Sequence, residues 1–311
     1  MVSPLPGDVR LKDDRPSSTA LLIAASTVYL KRDPRIAPLI PDAMAAASGA
    51  FLARASRLIA ACVRIVSRPG WRWLPRLAQR LAGPGLPLHF IVRKRFIEDN
   101  VRAALAAGTT QVVVLGAGFD TLAWRLHDAH PAVSFFEIDH PATQSIKREA
   151  LGRCDANLRF VPADFTRQTL QQVLAQCPGF RRDLPTVFVI EGVLMYLTAV
   201  EVDTLFAALP HSPRERVIFS VMETMPDGRT GFHGATFLSD RILRLWREPF
   251  RSSFARPAIE PFLARHGYAL TVVADEAFLR ARCLPEPLRH ATALARGELV
   301  CVADSAQAST P

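Results

Sequence analysis

The chain has 311 residues, of which 49% are hydrophobic and 22% are charged. This composition can fill a large buried core, and it excludes a disordered chain, a collagen-like chain and a small domain held by disulfides. Lys and Arg number 38 against 29 Asp and Glu, a net charge of +9. Such an excess indicates either an arginine-rich composition alone or an acidic partner, such as nucleic acid, anionic lipid or a carboxylate substrate.

The cysteines, the N-terminal segment and the apolar runs bear on metal binding and on the cellular location of the protein. The five cysteines are scattered, and no two stand at C-x-x-C spacing, so the sequence predicts neither a metal site nor a disulfide framework. Residues 1–16 are polar and charged and predict a flexible leader, without the apolar stretch of a signal peptide. An uncharged, apolar-rich run at 19–30 has 12 residues, short of the ~20 that span a bilayer. We therefore expect a cytoplasmic protein without a transmembrane segment.

The segment 17–107 predicts an N-terminal helical cap or lid. Ala and Leu dominate it, and it shows no strand-like alternation. One helix is expected over 42–66, ended by the Pro-Gly pair at 69–70. Another is expected over 89–107, closed by Gly108, because glycine is favoured just after a helix.

From residue 108 to 311 the pattern predicts an α/β core. Short apolar runs, rich in β-branched and aromatic residues, alternate with helical segments. The runs are 111–115, 134–138, 159–161, 186–190 and 216–221, and the helical segments are 121–129, 143–152, 167–176 and 200–208. Continuous apolar strands separated by helices are typical of a mostly parallel, doubly wound sheet.

The C-terminal part predicts how this sheet ends. Two further strands, 269–273 and 298–303, are joined by a long segment and favour an antiparallel pair at the edge of the sheet. The total is then seven strands. An insertion at about 225–260 carries no decodable motif, and we expect it to shape a substrate pocket together with the helical lid.

The strongest motif is LGAGFDT at 115–121, which follows the first strand and opens a helix. Glycines in such a turn let a ligand approach the backbone, and the helix start offers free N–H groups. The turn suits a dinucleotide pyrophosphate or the amino-acid part of S-adenosylmethionine, and a tight turn without ligand is a third reading. A dinucleotide fingerprint wants a third glycine where this chain has Thr121. The candidate cofactor residues here are Gly116, Ala117, Gly118 and Asp120.

Acidic residues follow the next two strands. Asp139 stands 23 residues after Gly116 and is a candidate for a ribose hydroxyl pair, because a carboxylate accepts two O–H bonds at once. Its alternative role is the N-cap of the next helix, while Glu137 is expected to lie within the strand. Asp164 and Phe165 suit an adenine, with Asp164 accepting from the exocyclic amine and Phe165 packing on the ring. An N-cap with a core phenylalanine is an equally common reading of such a pair.

Glu191 closes the fourth apolar strand. A glutamate simply buried there would be costly, whereas at the carboxyl edge of a parallel sheet it faces the ligand crevice. We therefore expect Glu191 to meet the ammonium group of a cofactor or to orient substrate. Tyr196 follows and is expected to line the pocket.

Together, QVVVLGAGFDTLAWRL at 111–126, FEIDHP at 136–141 and EGVLMYL at 191–197 resemble the leucine carboxyl methyltransferase family, especially its bacterial branch of polyketide-pathway O-methyltransferases. The resemblance covers about residues 18–302. It implies a Rossmann-like class I methyltransferase fold with S-adenosyl-L-methionine as cofactor. It also implies that Gly116 and Gly118 line the methionine part, Asp139 the ribose and Asp164 with Phe165 the adenine, while Glu191 lies near the reactive end.

The resemblance further implies an arginine for the cofactor carboxylate, supplied by the helix before the first strand. The stretch 93–95 aligns best, so we expect Arg93, with Arg95 as second choice, to form a bidentate pair with that carboxylate. A basic helix face in water is the alternative. The segment after Ser18-Thr19-Ala20 lacks an arginine frequent in bacterial members, and Leu122 replaces another. Contact between the first helix and the cofactor is therefore left open.

The predicted reaction is methyl transfer to a carboxylate or hydroxyl of a small, acidic molecule such as a polyketide-type metabolite. An ionised carboxylate needs no base, whereas a hydroxyl does. Glu191, Tyr196 and His233 are the catalytic candidates, and His211 is a weaker one. The absence of one obvious base favours a carboxylate or an already ionised phenol.

Two alternatives belong to other functional classes. One is a nicotinamide-dependent dehydrogenase, against which Thr121 and the pair at 164–165 argue. The other is a protein that binds a membrane or nucleic acid through the Arg-rich segment 54–80. The favoured reading of that segment is a lid whose arginine stems cover apolar surface. A nucleic-acid partner is therefore not expected, whereas peripheral membrane contact stays open.

Overall fold

The computed structural model describes residues 17–71, 84–152, 154, 156–165, 167–212, 214–225, 228, 230–233 and 249–306. The predicted leader, 1–16, lies outside these residues, as do residues 72–83 of the cap and 234–248 of the insertion.

The N-terminal part is helical as predicted. Its helices are α1 (Ser18–Leu30), α2 (Asp42–Ala55), α3 (Arg57–Val66) and α4 (Leu86–Ala106), with short 3-10 turns at Ala37–Leu39 and Pro69–Trp71. The expected single helix over 42–66 is wrong, because the chain is extended at Ser56, with φ −162° and ψ 109°. The Ser56 hydroxyl accepts the N–H of Ile59 and caps a new helix, a competition with the helical backbone typical of serine.

The remainder alternates strands and helices. The strands are β1 (Gln111–Leu115), β2 (Ser134–Asp139), β3 (Leu158–Pro162), β4 (Thr186–Ile190), β5 (Arg216–Met222), β6 (Tyr268–Ala274) and β7 (Glu298–Ser305). The helices are α5 (Leu122–Leu126), α6 (Pro141–Leu151), α7 (Leu170–Gln176), α8 (Ala199–Ala207), α9 (Arg256–Arg265), α10 (Glu276–Cys283) and α11 (Glu286–Ala291), and a 3-10 turn covers Leu194–Tyr196.

The seven strands form one sheet in the order β3-β2-β1-β4-β5-β7-β6. The first five are parallel, and β7 is antiparallel to both β5 and β6. This confirms the predicted α/β fold, a mostly parallel seven-stranded sheet with an antiparallel C-terminal edge. Val113 of β1 lies between Phe136 of β2 and Phe188 of β4, and all three are fully buried.

The strand order places a crevice at the carboxyl ends of β1 and β4. The chain leaves β1 toward β2 on one side, whereas β4 lies on the other, and ligands of open α/β sheets bind where the order reverses in this way. Because β7 is antiparallel, its first residue, Glu298, pairs with Met222 at the end of β5. Glu298 therefore lies at the same edge of the sheet as the ends of the parallel strands.

The helical part packs on the sheet through a shared core. Tyr29 of α1, Ile91 of α4 and Val112 of β1 belong to one buried hydrophobic cluster. A second cluster, on the other face of the sheet, contains Phe206 of α8 and Phe219 of β5. Among the described helices, none combines the length and the apolar character needed to cross a bilayer.

Candidate active site

The glycine turn after β1 is packed so closely that one of its residues must be glycine. Gly116 has φ +64° and Gly118 has φ +47°. A Cβ built on Gly116 would lie 2.3 Å from Cγ2 of Val193, in the segment after β4. One built on Gly118 would lie 3.5 Å from the Cβ of Ala20 in α1. The turn is thus enclosed between the loop after β4 and the first helix.

Asp139 ties the end of β2 to this turn. Its carboxylate accepts the backbone N–H of Gly118 and, at 2.5 Å, that of His140. Burial raises the pKa of Asp139, and the two N–H donors offset that effect only in part. The alternative role of Asp139 as a helix N-cap is wrong, because His140 is the N-cap of α6 and accepts the N–H of Ala142.

A buried ion pair lies beneath the same strand end. Glu137 lies within β2, as predicted, and its carboxylate contacts the ammonium group of Lys147 from α6. Both residues are almost completely buried. Burial outweighs the attraction of Lys147 and raises the pKa of Glu137 to about 7. The sequence reasoning missed Lys147, a lysine at the centre of an otherwise ordinary amphipathic helix.

Asp164 and Phe165 follow β3 at the outer side of the crevice. The backbone connects them to the neighbouring strand, because Ala163 donates its N–H to the carbonyl of Asp139 at 2.8 Å. Asp164 is half-buried, with Nε of Arg167 at 3.4 Å from its Oδ2, and the ring of Phe165 is exposed. Both residues therefore stand at the edge where the sequence analysis expected an adenine.

Glu191 is held between two cations from α4. Its Oε1 accepts from Nε of Arg93 at 2.9 Å and lies 2.7 Å from the same guanidinium's Nη2. Its Oε2 lies 3.1 Å from Nζ of Lys94. Lys94 also pairs with Asp120, and although burial opposes ionisation, Lys94 lowers the pKa of Asp120 to about 2. Lys94 is a residue of the site that the sequence analysis did not single out.

Arg93 reaches a second carboxylate at the start of β7. Its Nη1 donates to both oxygens of Glu298, at 2.6 and 2.8 Å. Nε2 of His89, one helical turn before Arg93, lies 2.8 Å from the same carboxylate, and Ser220 of β5 also hydrogen-bonds it. Burial alone would raise the pKa of Glu298, but these partners, Arg93 first, lower it to about 2.

The other basic candidates differ in placement. Arg93 is buried at the crevice, and although burial opposes its charge, Glu298 and Glu191 raise its pKa. Arg95, the second choice, is exposed, and its charge acts on Cys283 of α10 rather than on the crevice. His211 precedes β5, at the opposite edge of the sheet, and its ring packs 5.2 Å from that of Tyr268. The structure therefore brings Arg93 to the site but neither Arg95 nor His211.

Aromatic side chains form the wall of the crevice toward the insertion. Ring centroids lie 5.8 Å apart for Tyr196 and Phe250, 6.2 Å for Phe250 and Phe232, and 6.0 Å for Phe232 and His89. The Tyr196 hydroxyl shares a hydrogen bond of 3.1 Å with Thr19 of α1. The first helix thus contacts Tyr196 directly.

His233 follows Phe232 of this wall and lies next to the start of β7. Its backbone N–H donates to the carbonyl of Arg296 at 2.7 Å. Its Nε2 atom is buried and finds no hydrogen-bond partner among the described residues. The catalytic role of His233 stays a prediction.

The chain is similar in sequence to a known protein family and to several individual proteins. The sequence model of a family described as leucine carboxyl methyltransferase matches residues 20–209. YktD of Bacillus subtilis, whose name marks it as a candidate S-adenosyl-L-methionine-dependent methyltransferase, is 30% identical over 187 residues, which is 57% of this chain and 60% of YktD. A similarly named protein of Mycobacterium marinum is 32% identical over 212 residues, 63% of this chain and 65% of its own. The chain thus spans less than two thirds of either relative.

Two solved structures share the fold. A candidate methyltransferase of Thermobifida fusca superimposes with a TM-score of 0.53 and 20% identity, covering 76% of this chain and 89% of its own. A DUF574 family protein of Streptomyces avermitilis has a TM-score of 0.54 and 15% identity, covering 76% and 91%. At this level of identity the likeness shows the fold alone.

Proposed function

The chain belongs to the leucine carboxyl methyltransferase family, with S-adenosylmethionine as its cofactor, and we propose that it transfers the methyl group to an oxygen of a small, acidic molecule. The binding of the cofactor's methionine part is supported by one observation. At the crevice, Arg93 and Glu191 form a buried pair of opposite charges, which complements the carboxylate and ammonium groups of an amino acid.

The residues at the crevice fit this cofactor. Gly116 and Gly118 keep the backbone open for close approach, and a side chain at Gly116 would already collide with Val193. Asp139 holds a carboxylate at the end of β2, where a ribose is bound in folds of this kind. Asp164 and Phe165 offer an acceptor and an exposed ring for the adenine.

Arg93 is proposed to bind the cofactor carboxylate, and Glu191 its ammonium group. Arg93 can do so without leaving Glu298, because Nη1 serves Glu298, while Nε and Nη2, which pair with Glu191 in this structure, would turn to the cofactor carboxylate when Glu191 receives the ammonium group. Lys94 keeps the second oxygen of Glu191 in place. Ala117 and Asp120 complete the proposed cofactor residues, the latter through its bond to Lys94.

When bound, the cofactor supplies a methyl group on a positively charged sulfonium. The chain has to align the acceptor, exclude water and leave the reacting atoms unobstructed. Tyr196 and its hydrogen bond to Thr19 close the crevice on the lid side, and Phe232 with Phe250 forms its apolar wall. These residues, with α1 and the insertion, are proposed to form the acceptor pocket.

A carboxylate is the favoured acceptor, because it is ionised at neutral pH and requires no base. For a hydroxyl acceptor, the proposed bases are Tyr196, which lies in the aromatic wall, and His233, whose buried Nε2 has no hydrogen-bond partner among the described residues. A polyketide-type metabolite is one class of acid that fits. A cytoplasmic location is proposed because all five cysteines are free thiols, as is usual in reducing compartments.

Calorimetric titration tests the cofactor assignment. S-adenosylmethionine should bind and NAD should not, and Asp139→Ala should weaken binding at least roughly tenfold, because an unsatisfied ribose costs more than ~1.4 kcal/mol. Asp99→Ala removes an exposed carboxylate of α4 and serves as the control. NAD binding in place of S-adenosylmethionine would establish the dehydrogenase alternative, which Thr121 in the third glycine position does not favour.

A second experiment identifies the acceptor atom. The chain is incubated with methyl-labelled S-adenosylmethionine and a panel of aromatic and aliphatic acids and phenols. Methyl esters release labelled methanol on treatment with base, whereas aryl methyl ethers keep the label. Base-labile product supports the carboxylate acceptor, base-stable product from phenols supports the hydroxyl acceptor, and label on nitrogen or carbon would contradict O-methylation.

A further inference from the structure

Helix α3, with the 3-10 turn that follows it, has a second apolar face that points away from the protein. Leu58 is 74% exposed, Ile65 45% and Trp71 50%. On the inner face, Val63 belongs to the buried cluster that contains Phe51 and Phe119. Leu58, Cys62 and Ile65 are spaced four and three residues apart, so they form one stripe along the helix. A helix of a globular protein needs only its inner stripe, and the outer one therefore points to a contact with something else.

The surroundings of this stripe are strongly basic. Arg54, Arg57, Arg64 and Arg68 are all exposed, and they flank the apolar residues. In the sequence, no Asp or Glu stands between Asp42 and Glu98. The positive charge of this region is therefore not balanced by acids of its own segment, and it can attract an anionic surface.

We propose that α3 docks on the surface of an anionic phospholipid bilayer. The arginines would meet the lipid phosphates, while Leu58, Ile65 and Trp71 would enter the boundary between headgroups and acyl chains. A short amphipathic helix with basic flanks and a tryptophan at its end is the kind of element that lies in this boundary. A nucleic acid would use the arginines but would leave the aliphatic stripe without a role.

The position of α3 connects this surface to the crevice. Ile59 and Ala60 of α3 pack in one cluster with Leu21 and Ala24 of α1, and α1 carries Thr19, which bonds to Tyr196. Docking would hold the lid side of the crevice toward the lipid. The proposal itself does not depend on methyl transfer and is tested without it.

Vesicle sedimentation tests the docking. The full chain is mixed with phosphatidylcholine vesicles, with or without one quarter phosphatidylglycerol, at low and high salt. We expect binding to the anionic vesicles at about 0.1 M salt, and roughly tenfold weaker binding at about 1 M salt or on pure phosphatidylcholine, because salt screens the charges within a few ångströms. Absence of binding to anionic vesicles at low salt would overturn the proposal.

Variants separate the two parts of the surface. Leu58→Ser with Ile65→Ser removes the apolar stripe, and Arg57→Gln with Arg64→Gln removes two charges. Each pair of substitutions should lower the partition coefficient of the chain onto anionic vesicles at least roughly tenfold. The matched controls are Val200→Ser, which changes an isolated apolar side chain that is 75% exposed on α8, and Arg182→Gln with Arg282→Gln, two exposed arginines elsewhere. The controls should bind as the wild type does.

Thermal melts check that each variant is folded. We expect them to be folded, because all the substituted side chains lie on the surface. Unchanged vesicle binding by the folded α3 variants would overturn the assignment to α3. Light scattering without lipid tests whether a second copy of this chain, instead of lipid, covers the stripe. If the wild type self-associates and the α3 variants do not, while neither binds vesicles, the stripe is an interface between copies of this chain and the lipid proposal is wrong.

Discussion

Two buried glutamates lie beneath the crevice, and their surroundings shift their pKa values in opposite directions. Glu137, in β2, has Lys147 as its only ionic partner in the described part of the chain and the negative charges of Asp120 and Asp139 nearby, and its pKa is raised to about 7. Glu298, at the start of β7, receives donors from Arg93, His89 and Ser220, and its pKa is lowered to about 2. Burial is the same in both cases, so the number of donors decides which form is stable.

A buried carboxylate in this fold can therefore be either a fixed charge or a group that titrates near neutral pH. Glu298, with its pKa of about 2, is ionised near neutral pH and pairs there with Arg93. Glu137, with its pKa of about 7, changes its protonation in that range.

The largest expected effect comes from removing the main partner of Glu298. Arg93→Met should lower the free energy of unfolding by about 3–5 kcal/mol, because it leaves buried negative charge without compensation. Urea unfolding at pH 7 measures it. The control is Arg102→Gln, which breaks an exposed pair with Glu98 and should cost less than about 1 kcal/mol. A similarly small cost for Arg93→Met would mean that Glu298 does not need its donors.

Glu137 and Glu298 should make the stability of the protein depend on pH in opposite directions. Its folded pKa of about 7 lies above the ordinary value of 4.5, so the folded state binds more protons than the unfolded one between these values. The free energy of unfolding should therefore fall by about 1–3 kcal/mol as the pH rises from 4.5 through 7. For Glu298 the sign is opposite, and stability should be lost as the pH falls from 4.5 toward 2.

The variant Glu137→Gln isolates the contribution of Glu137 to the dependence of the free energy of unfolding on pH. It should lower stability overall, since Lys147 loses its partner, but it should remove the fall between pH 4.5 and 7. Urea unfolding at several pH values gives both results. Glu149→Gln changes an exposed glutamate of the same helix and should keep the wild-type slope. A slope that persists in Glu137→Gln would assign the titration to another group.

Gly116 and Gly152 allow a matched test of how closely the chain packs at the glycine turn after β1. Gly116 and Gly152 have similar φ values, +64° and +73°, but a Cβ at Gly116 meets Val193 at 2.3 Å, whereas one at Gly152 meets nothing within 4 Å. Gly116→Ala should therefore cost about 1–3 kcal/mol more than Gly152→Ala. The double variant Gly116→Ala with Val193→Ala should regain part of the difference. Equal costs would mean that backbone conformation alone requires the glycine.

The contact between helix α1 and Tyr196 at the crevice should contribute least to stability. Tyr196→Phe removes one hydrogen bond to Thr19 and should cost about 0.5–1.5 kcal/mol. A double-mutant cycle with Thr19→Val isolates the pair, because the second substitution should add little once the first is made. Additive effects would show that the two hydroxyl groups act separately.

The strands on either side of the glycine turn were predicted well from the sequence, because the signals that mark them are local. The ends of β1 and β4 agree with the structure residue for residue, because short apolar β-branched runs bounded by Gly, Pro or Glu have little freedom of assignment. Asp139 and Glu191 were located by their position just after such runs. These features each depend on fewer than ten neighbouring residues.

The ion-pair network around Arg93 could not be predicted in the same way. Its partners Glu191 and Glu298 lie 98 and 205 residues away along the chain, and only the insertion of β7 beside β5 brings Glu298 to the crevice. A signal was nevertheless present. Glu298 opens an apolar strand just as Glu191 closes one, and the reasoning applied to Glu191 would have singled it out. His89 and Lys94 have no such signal, since histidine and lysine on a helix are usually unremarkable.

The strand order has a consequence for how the chain reaches its native state. Because β7 lies between β5 and β6, β6 cannot join the sheet when it is synthesised, and the edge of β5 stays unpaired until β7 arrives. The same event delivers Glu298 to Arg93. Completion of the sheet and assembly of the crevice are therefore one late, long-range step. A nascent chain that stops before residue 298 would leave the edge of β5 unpaired, and Arg93 would lack its main partner.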